Sequence, residues 1–400
     1  MMVKTGSQCS ALRAAGLGWM LSLAACVMPE NDTHSLSPLV VADLFDKAQP
    51  DTMGLSPAPR AETFTVFQPG EQDYAYNHGA VVIGFKGQLY AQWQSSYRDE
   101  DAPETEVRFA VSTDEGESWG PVKTLVPKRE GTVVTNGGWW TDGDTLVAYV
   151  NVWPETLEPR GGYAEYVTST DGRHWSEPKP VLNAHDEPLK GVLEQDVREL
   201  PDGRLLTAVH RQPGLIAKPY YTDDPLGVRG WTEGTMDNLD YKEEISRELE
   251  PSWYTRADGS IVMIFRDQGG SHRIIAASST DNGESWSRPV LTNFPDSRAK
   301  QSAGNLPDGT AFVVNNPSGN KTRIPLTLTL SDNGHYFDQA YWLRSGGNNL
   351  QKQRFEGRYK RAGYSYPKSY RDDKYLYVAY ATNKEDIEIT RVPLSALRAD

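Results

Sequence analysis

Ser112-Thr113-Asp114-Glu115-Gly116-Glu117-Ser118-Trp119 is the stretch that decides the fold, because it returns twice. The copies are Ser169-Thr170-Asp171-Gly172-Arg173-His174-Trp175 and Ser279-Thr280-Asp281-Asn282-Gly283-Glu284-Ser285-Trp286. Weaker versions stand at Asp332-Asn333-Gly334, with Phe337 in place of the tryptophan, and at Asp223-Asp224 leading to Trp231. The physics of the motif is local: Asp and Ser side chains bond turn amides, glycine takes positive φ, and the tryptophan plugs the space between sheets. It therefore reads as a structural turn and not as a catalytic element.

A second series runs in step with the first. Lys86-Gly87, Asp142-Gly143, Asp202-Gly203, Asp258-Gly259, Asp308-Gly309 and the degenerate Asp372-Asp373 each lie between two apolar runs, the pattern of a tight β-hairpin. Their spacing of about 50 to 64 residues implies six stacked units. Each box follows its hairpin by roughly 20 to 28 residues, as a turn from a third strand into a fourth would. The two series predict an all-β chain folded as a six-bladed β-propeller. The last unit has no box, so a strand near Glu62–Phe67 is expected to pair with the final strand and close the ring.

Among 400 residues, 54 acidic against 41 basic side chains leave a formal charge of -13, which argues against nucleic acid or an acidic membrane surface as partner. An anionic ligand would have to meet locally clustered arginines. Residues 1–26 read as a lipoprotein signal peptide: Lys4 and Arg13 precede the apolar run Ala14–Ala25, which is too short to span a bilayer. Its end, Leu23-Ala24-Ala25-Cys26, resembles a bacterial lipobox, which makes lipid on Cys26 the expected link to the membrane and the cell envelope the expected location of an exported protein. Cys9, the other cysteine, lies inside the segment to be removed, so no disulfide is expected. Residues 27–60, rich in proline and without periodicity, are expected to form a flexible tether, and residues 61–400 the propeller.

In a four-stranded blade the hairpin turn and the box turn share one face, so chemistry must gather on the other. Counting back from each turn gives His78, Val134, Glu194, Glu250, Lys300 and Tyr364. Counting forward to the end of each second strand gives Trp93, Asn151, His210 with Arg211, Arg266 with Asp267, Asn315 with Asn316, and Asn383. A funnel so lined is more polar than channel packing requires, although Glu194 with Arg211, and Arg266 with Glu250 or Asp267, would also serve as ion pairs tying blades together. The seven histidines show no metal-ligand spacing, so neither metal nor other cofactor is expected. No Gly-x-Ser-x-Gly elbow occurs.

The repeated box resembles the Asp-box of the sialidase superfamily, and over residues 70 to 400 further positions fit. Glu250 followed by Arg266 resembles the family's base glutamate and carboxylate-binding arginine. Arg323 resembles a further arginine of its triad. Gly363-Tyr364-Ser365 looks like the Gly-Tyr-Ser whose tyrosine is the nucleophile. Asp99 or Asp101 lies where the family carries its acid/base aspartate. The resemblance thus implies Tyr364, Glu250, His78, Asp99 and Asp101 as catalytic candidates, with Arg266, Arg323, Arg211, His210, Glu194, Arg298 and Tyr366 as substrate-binding ones. A tyrosine nucleophile suits such chemistry, since an anionic sugar repels a carboxylate and a carboxylate base can take the phenol proton.

One departure stands out: where the first blade should carry Phe-Arg-Ile-Pro, this chain has Tyr76-Asn77-His78-Gly79. Thr322-Arg323-Ile324-Pro325 has the right letters but belongs to the fifth blade. A histidine in this place resembles the rhamnose-glucuronate lyases, related α-L-rhamnosidases and ulvan lyases, which are often seven-bladed. The leading expectation is an exo-acting glycoside hydrolase that removes a terminal acidic or related sugar from an extracellular glycan. The alternatives are a uronate-glycan lyase or His-dependent α-L-rhamnosidase, and a non-catalytic glycan-binding propeller.

Overall fold

The computed structural model describes residues 37–155 and 161–397. The expected signal peptide and Cys26 lie outside the described residues. Six sheets follow one another along the chain. Blade one comprises Tyr76–Phe85, Gln88–Ser96, Glu106–Ser112 and Lys123–Val126, and blade two Thr132–Thr141, Leu146–Pro154, Tyr163–Ser169 and Lys179–Pro180. Blade three has a broken inner strand, Gly191–Leu193 and Arg198–Glu199, followed by Leu205–Arg211, Ile216–Thr222 and Thr232–Glu233. Blade four comprises Glu248–Thr255, Ile261–Asp267, Arg273–Ser279 and Val290–Pro295, and blade five Ser302–Asn305, Ala311–Asn315, Leu326–Ser331 and Gln339–Arg344. Blade six consists of Tyr364–Arg371, Tyr375–Thr382 and Asp386–Pro393, and its outer strand is Glu62–Phe67, which pairs antiparallel with the last strand, Glu62 opposite Arg391. The six-bladed propeller and its closure by an early strand are as the sequence predicts.

Each blade packs face to face against two others, so its middle strands are apolar on both faces. Ile261-Val262-Met263-Ile264-Phe265 is the clearest case, with every side chain at most 1% exposed. The apolar clusters sit between successive blades: Leu206 and Ala208 of blade three meet Trp253, Met263, Phe265 and Ile275 of blade four. The box turns are built as their letters require. Ser112 Oγ accepts from the Gly116 amide at 2.9 Å, Asp114 Oδ1 accepts from the Ser118 amide at 2.9 Å, and Trp119 Nε1 donates to the Gly116 carbonyl at 3.1 Å. The degenerate copy of blade three keeps the last contact, Trp231 Nε1 donating to the Gly227 carbonyl at 2.8 Å.

Part of the expected tether is instead a fixed strap. Val40–Val41 pairs in parallel with Tyr336–Phe337, Leu39 and Val41 bury themselves beside Phe294 and Phe337, and Pro57 bridges Trp342. Proline content suggested a linker, but these short apolar residues find an unpaired turn of blade five to cover.

Candidate active site

The inner strands carry the site because they are bulged where they reach the mouth of the channel. Their ladders slip between His78 and Val81, Asn136 and Gly138, Leu249 and Ser252, and Ser365 and Lys368. Within these slips Glu250 and Tyr366 adopt φ of 53° and 56°, a left-handed conformation uncommon for either residue. Such strain costs on the order of 1–3 kcal/mol each and persists where surrounding structure enforces it. Its effect is to re-aim one side chain per strand into the funnel. Both residues precede a proline, Pro251 and Pro367, which has no amide to lose at a bulge on an edge strand.

Across the ring the two re-aimed side chains meet. Tyr366 donates its hydroxyl to Glu250 Oε1 at 2.5 Å, and Arg266 Nη1 reaches both Glu250 Oε2 at 2.7 Å and the Tyr366 hydroxyl at 3.0 Å. Arg323 lies with its guanidinium 5.1 Å from the centre of the Tyr366 ring and donates to Ser365 Oγ at 2.7 Å. On the other side the His78 ring packs at 4.2 Å, centre to centre. His78 is 2% exposed, and neither ring nitrogen has a hydrogen-bond partner among the described residues. Buried polar groups are nearly always paired, so an orphaned imidazole facing a cavity marks a place where a ligand completes the bonding.

A second layer holds Glu250. Glu194 pairs with His210 Nδ1 at 2.8 Å and with Lys300 Nζ at 2.9 Å, while His210 Nε2 accepts the Glu250 backbone N–H at 3.2 Å. This arrangement fixes the His210 tautomer with its proton on Nδ1 and pins the strained backbone through Nε2. Two adjoining cavities open from this centre. The inner one, about 270 Å³, is lined by His78, Asp101, Glu194, His210, Glu250 and Lys300 among others. The outer one, about 230 Å³, shares Glu100, Arg266 and Tyr366 with it and adds the basic residues discussed below. Among the described residues no group of three or more His, Cys, Asp or Glu could hold a metal ion.

Most of the expected residues converge: Glu250, His78, Arg266, Arg323, His210, Glu194, Arg298, Tyr366 and Asp101 all line one or both cavities. Three do not. Tyr364 is fully buried between blades five and six, its hydroxyl donating to the Ser345 carbonyl at 2.8 Å, and Tyr366 occupies the place expected for it. The cause is register: eight residues separate Glu250 from its turn at Asp258, but only six separate Tyr366 from Asp372. Asp99 lines neither cavity and accepts the Arg358 backbone N–H at 2.6 Å, latching its loop to the connector between blades five and six. Arg211 sits at the surface, paired with Glu233 at 3.3 Å. The partner foreseen for Glu194 was Arg211; His210 and Lys300 take that role. Residues missed altogether are Glu100, Lys321, Arg361 and Lys384. Lys384 adjoins Asn383, which the strand count did reach; Lys321 and Arg361 lie in connectors, where no periodicity points.

Charge in the site is set by burial working against these pairings. Burial resists ionisation of Glu250, but Arg266, Lys300 and the Tyr366 hydroxyl outweigh it and keep the carboxyl below its ordinary range, hence ionised at neutral pH. Burial and the Glu250 charge push the Tyr366 phenol far up, so it keeps its proton until that proton can pass to Glu250. Burial, with Lys384, Arg323 and Lys300 nearby, holds His78 well below 6.5 and therefore neutral. Burial also holds Lys384 down at about 8, despite its 2.8 Å pair with Glu100. As pH rises through 8 the cavity loses this positive charge. The affinity for inorganic sulfate, measured by calorimetric titration, is expected to fall several-fold between about pH 7 and 9, and Lys384→Arg should flatten the change. A flat profile in the parent protein would contradict the assignment.

Fold and site together define a six-bladed propeller with a tyrosine, a glutamate and two arginines joined at one mouth of the ring. Residues 87–378 match the family of BNR repeat-like domains, and the chain belongs to that family. No curated protein matches the sequence. Among solved structures, a sialidase matches with a TM-score of 0.57 at 19% identity, covering 89% of this chain and 35% of its own. The chain thus spans about a third of that protein's length. A Hadza microbial sialidase matches with a TM-score of 0.65 at 16% identity, covering 84% of this chain and 69% of its own. A Trypanosoma rangeli sialidase in complex with sialic acid matches with a TM-score of 0.60 at 16% identity, covering 86% and 60%. At these identities the likeness is one of fold.

Proposed function

We propose that this protein is an exported, lipid-anchored glycoside hydrolase of the sialidase-like class that releases a terminal acidic sugar from a glycan. The observation that carries this reading is the Tyr366–Glu250 hydrogen bond of 2.5 Å bridged by Arg266. In the reaction the Tyr366 oxygen attacks the anomeric carbon while Glu250 takes its proton. Asp101, at the rim of the inner cavity beside Glu100, protonates the leaving oxygen. Water then cleaves the sugar–tyrosine bond with the roles reversed, so the configuration is retained. Arg266 and Arg323 offer the forked donors that suit a carboxylate. That sialidases share the fold supports the class without identifying the sugar.

One observation favours a second reading. His78, neutral, without a hydrogen bond and with its Nε2 4.0 Å from Glu100 Oε1, stands against Tyr366 where the resemblance would place an arginine. In a uronate lyase it could receive the proton removed beside a carboxylate that the arginines neutralise. The test is a screen of purified protein against sialosides, ulvan and rhamnose-capped glucuronans, read by product mass. A product carrying one added water supports hydrolysis. An unsaturated product, absorbing near roughly 235 nm as a conjugated uronate does, replaces hydrolysis by elimination. Binding without any product leaves neither.

A further inference from the structure

The outer cavity carries more positive charge than one acidic sugar requires. Arg266, Arg298, Lys321, Arg323, Arg361 and Lys384 line it, against the single carboxylate of Glu100. Two of these cations are neutralised within the protein, Arg266 by Glu250 at 2.7 Å and Lys384 by Glu100 at 2.8 Å. Among the described residues no ion pair with an acidic side chain involves Arg298, Lys321, Arg323 or Arg361. Arg298 is itself held in a left-handed conformation, φ 58°, with Nε buried and unbonded, and its backbone N–H is anchored on the buried Asp296 at 2.7 Å. Arg361 feels Arg323, Arg266 and Arg298 as repelling neighbours. Crowding like charges around a cavity is unfavourable in a free protein unless an anion joins them.

A single carboxylate is satisfied by the forked donors of two arginines. Arg323, with no acidic partner of its own, and Arg266, although paired with Glu250, both contact Tyr366 and together account for one such group, which leaves Arg298, Lys321 and Arg361 as surplus cations for a singly charged substrate. We infer that the outer cavity is a second anion subsite: the glycan places one anionic group at Arg266 and Arg323 and another, a sulfate ester or a further carboxylate, at Arg298, Lys321 and Arg361. The inference rests on the proposed reading only in taking the ligand to be an acidic glycan. A doubly anionic terminus would also explain why the first blade can dispense with an arginine, since charge recognition has moved toward blades five and six and His78 is left to bond neutral hydroxyls.

Anions can be counted without any turnover, which separates this test from the test of hydrolysis. Crystals soaked in dilute selenate are expected to show two anomalous peaks in the outer cavity. The Arg298→Gln/Arg361→Gln double variant should lose only the peak farther from Tyr366, and Arg323→Gln should lose only the nearer one. One peak, none, or two that survive the double variant would overturn the subsite. The chemical source follows from dissociation constants for an unsulfated chondroitin disaccharide, its monosulfated form and a diuronate. A gain of about tenfold or more for the sulfated form assigns a sulfate ester, and the same gain for the diuronate assigns a second carboxylate. No gain from the second charge overturns its role in glycan recognition.

Discussion

Tyr366→Phe is expected to reduce turnover by at least about a thousandfold, the scale lost when a catalytic site loses a reacting or charge-stabilising member. The ring remains, so its packing on His78 and beneath Arg323 should survive, and Glu250 keeps its pair with Arg266 at 2.7 Å. What vanishes is the oxygen that attacks and the proton that Glu250 accepts. The informative control is Tyr364→Phe two residues away. It removes a hydroxyl that bonds the Ser345 carbonyl and neighbours Arg344 in the core, outside both cavities, so it should cost about 1 kcal/mol of stability and leave turnover within a few-fold of normal. Steady-state kinetics on whichever glycan the screen identifies would measure both. Full activity in the Tyr366 variant removes the tyrosine nucleophile and shifts the chemistry to His78.

Trp231→Ala is expected to be the most destabilising of the box substitutions, by about 3–5 kcal/mol, a large part of the 5–15 kcal/mol typical of a folded domain. Trp231 is 1% exposed, packs with Tyr149, Leu205 and Tyr220 between blades two and three, and donates to the Gly227 carbonyl. Truncation would open a cavity bounded by two rigid sheets that cannot collapse into it, and would also strip the turn of its only indole bond. Trp119, in the best-preserved box, is only half-buried, so Trp119→Ala should cost less. The comparison runs against the intuition that the most regular motif matters most. Denaturant midpoints would measure it, and equal losses for the two tryptophans would show that burial does not set the scale.

The architecture was legible because it rests on turns, and turn chemistry is written in adjacent letters. Six hairpin turns and three complete boxes leave little freedom in how many sheets form or where each begins. The site was legible only in part, because it depends on where each inner strand bends. A bulge adds a residue without any letter that announces it, and a fixed count from the turn therefore reached Glu250, which lines the inner cavity, but stopped at the buried Tyr364. The one local clue is the shared Glu250-Pro251 and Tyr366-Pro367, two X-Pro pairs at corresponding bends. Half of the basic residues of the outer cavity were harder still. Lys321 and Arg361 come from connectors whose course depends on contacts with distant loops, as when Arg358 meets Asp99.

The strand Glu62–Phe67 finds its partners only in Asp386–Pro393, more than 300 positions further on, as the Arg391–Glu62 bond records. At the usual ribosomal pace of about 5–20 residues per second, the first strand waits roughly a quarter of a minute or longer before its neighbour exists. Until then five sheets stand in an open arc with an apolar edge exposed at each end. Synthesis alone therefore cannot finish this molecule blade by blade, and a chain cut short by its last fifteen residues, from Asp386 on, should be held by chaperones or degraded rather than released as a slightly smaller protein.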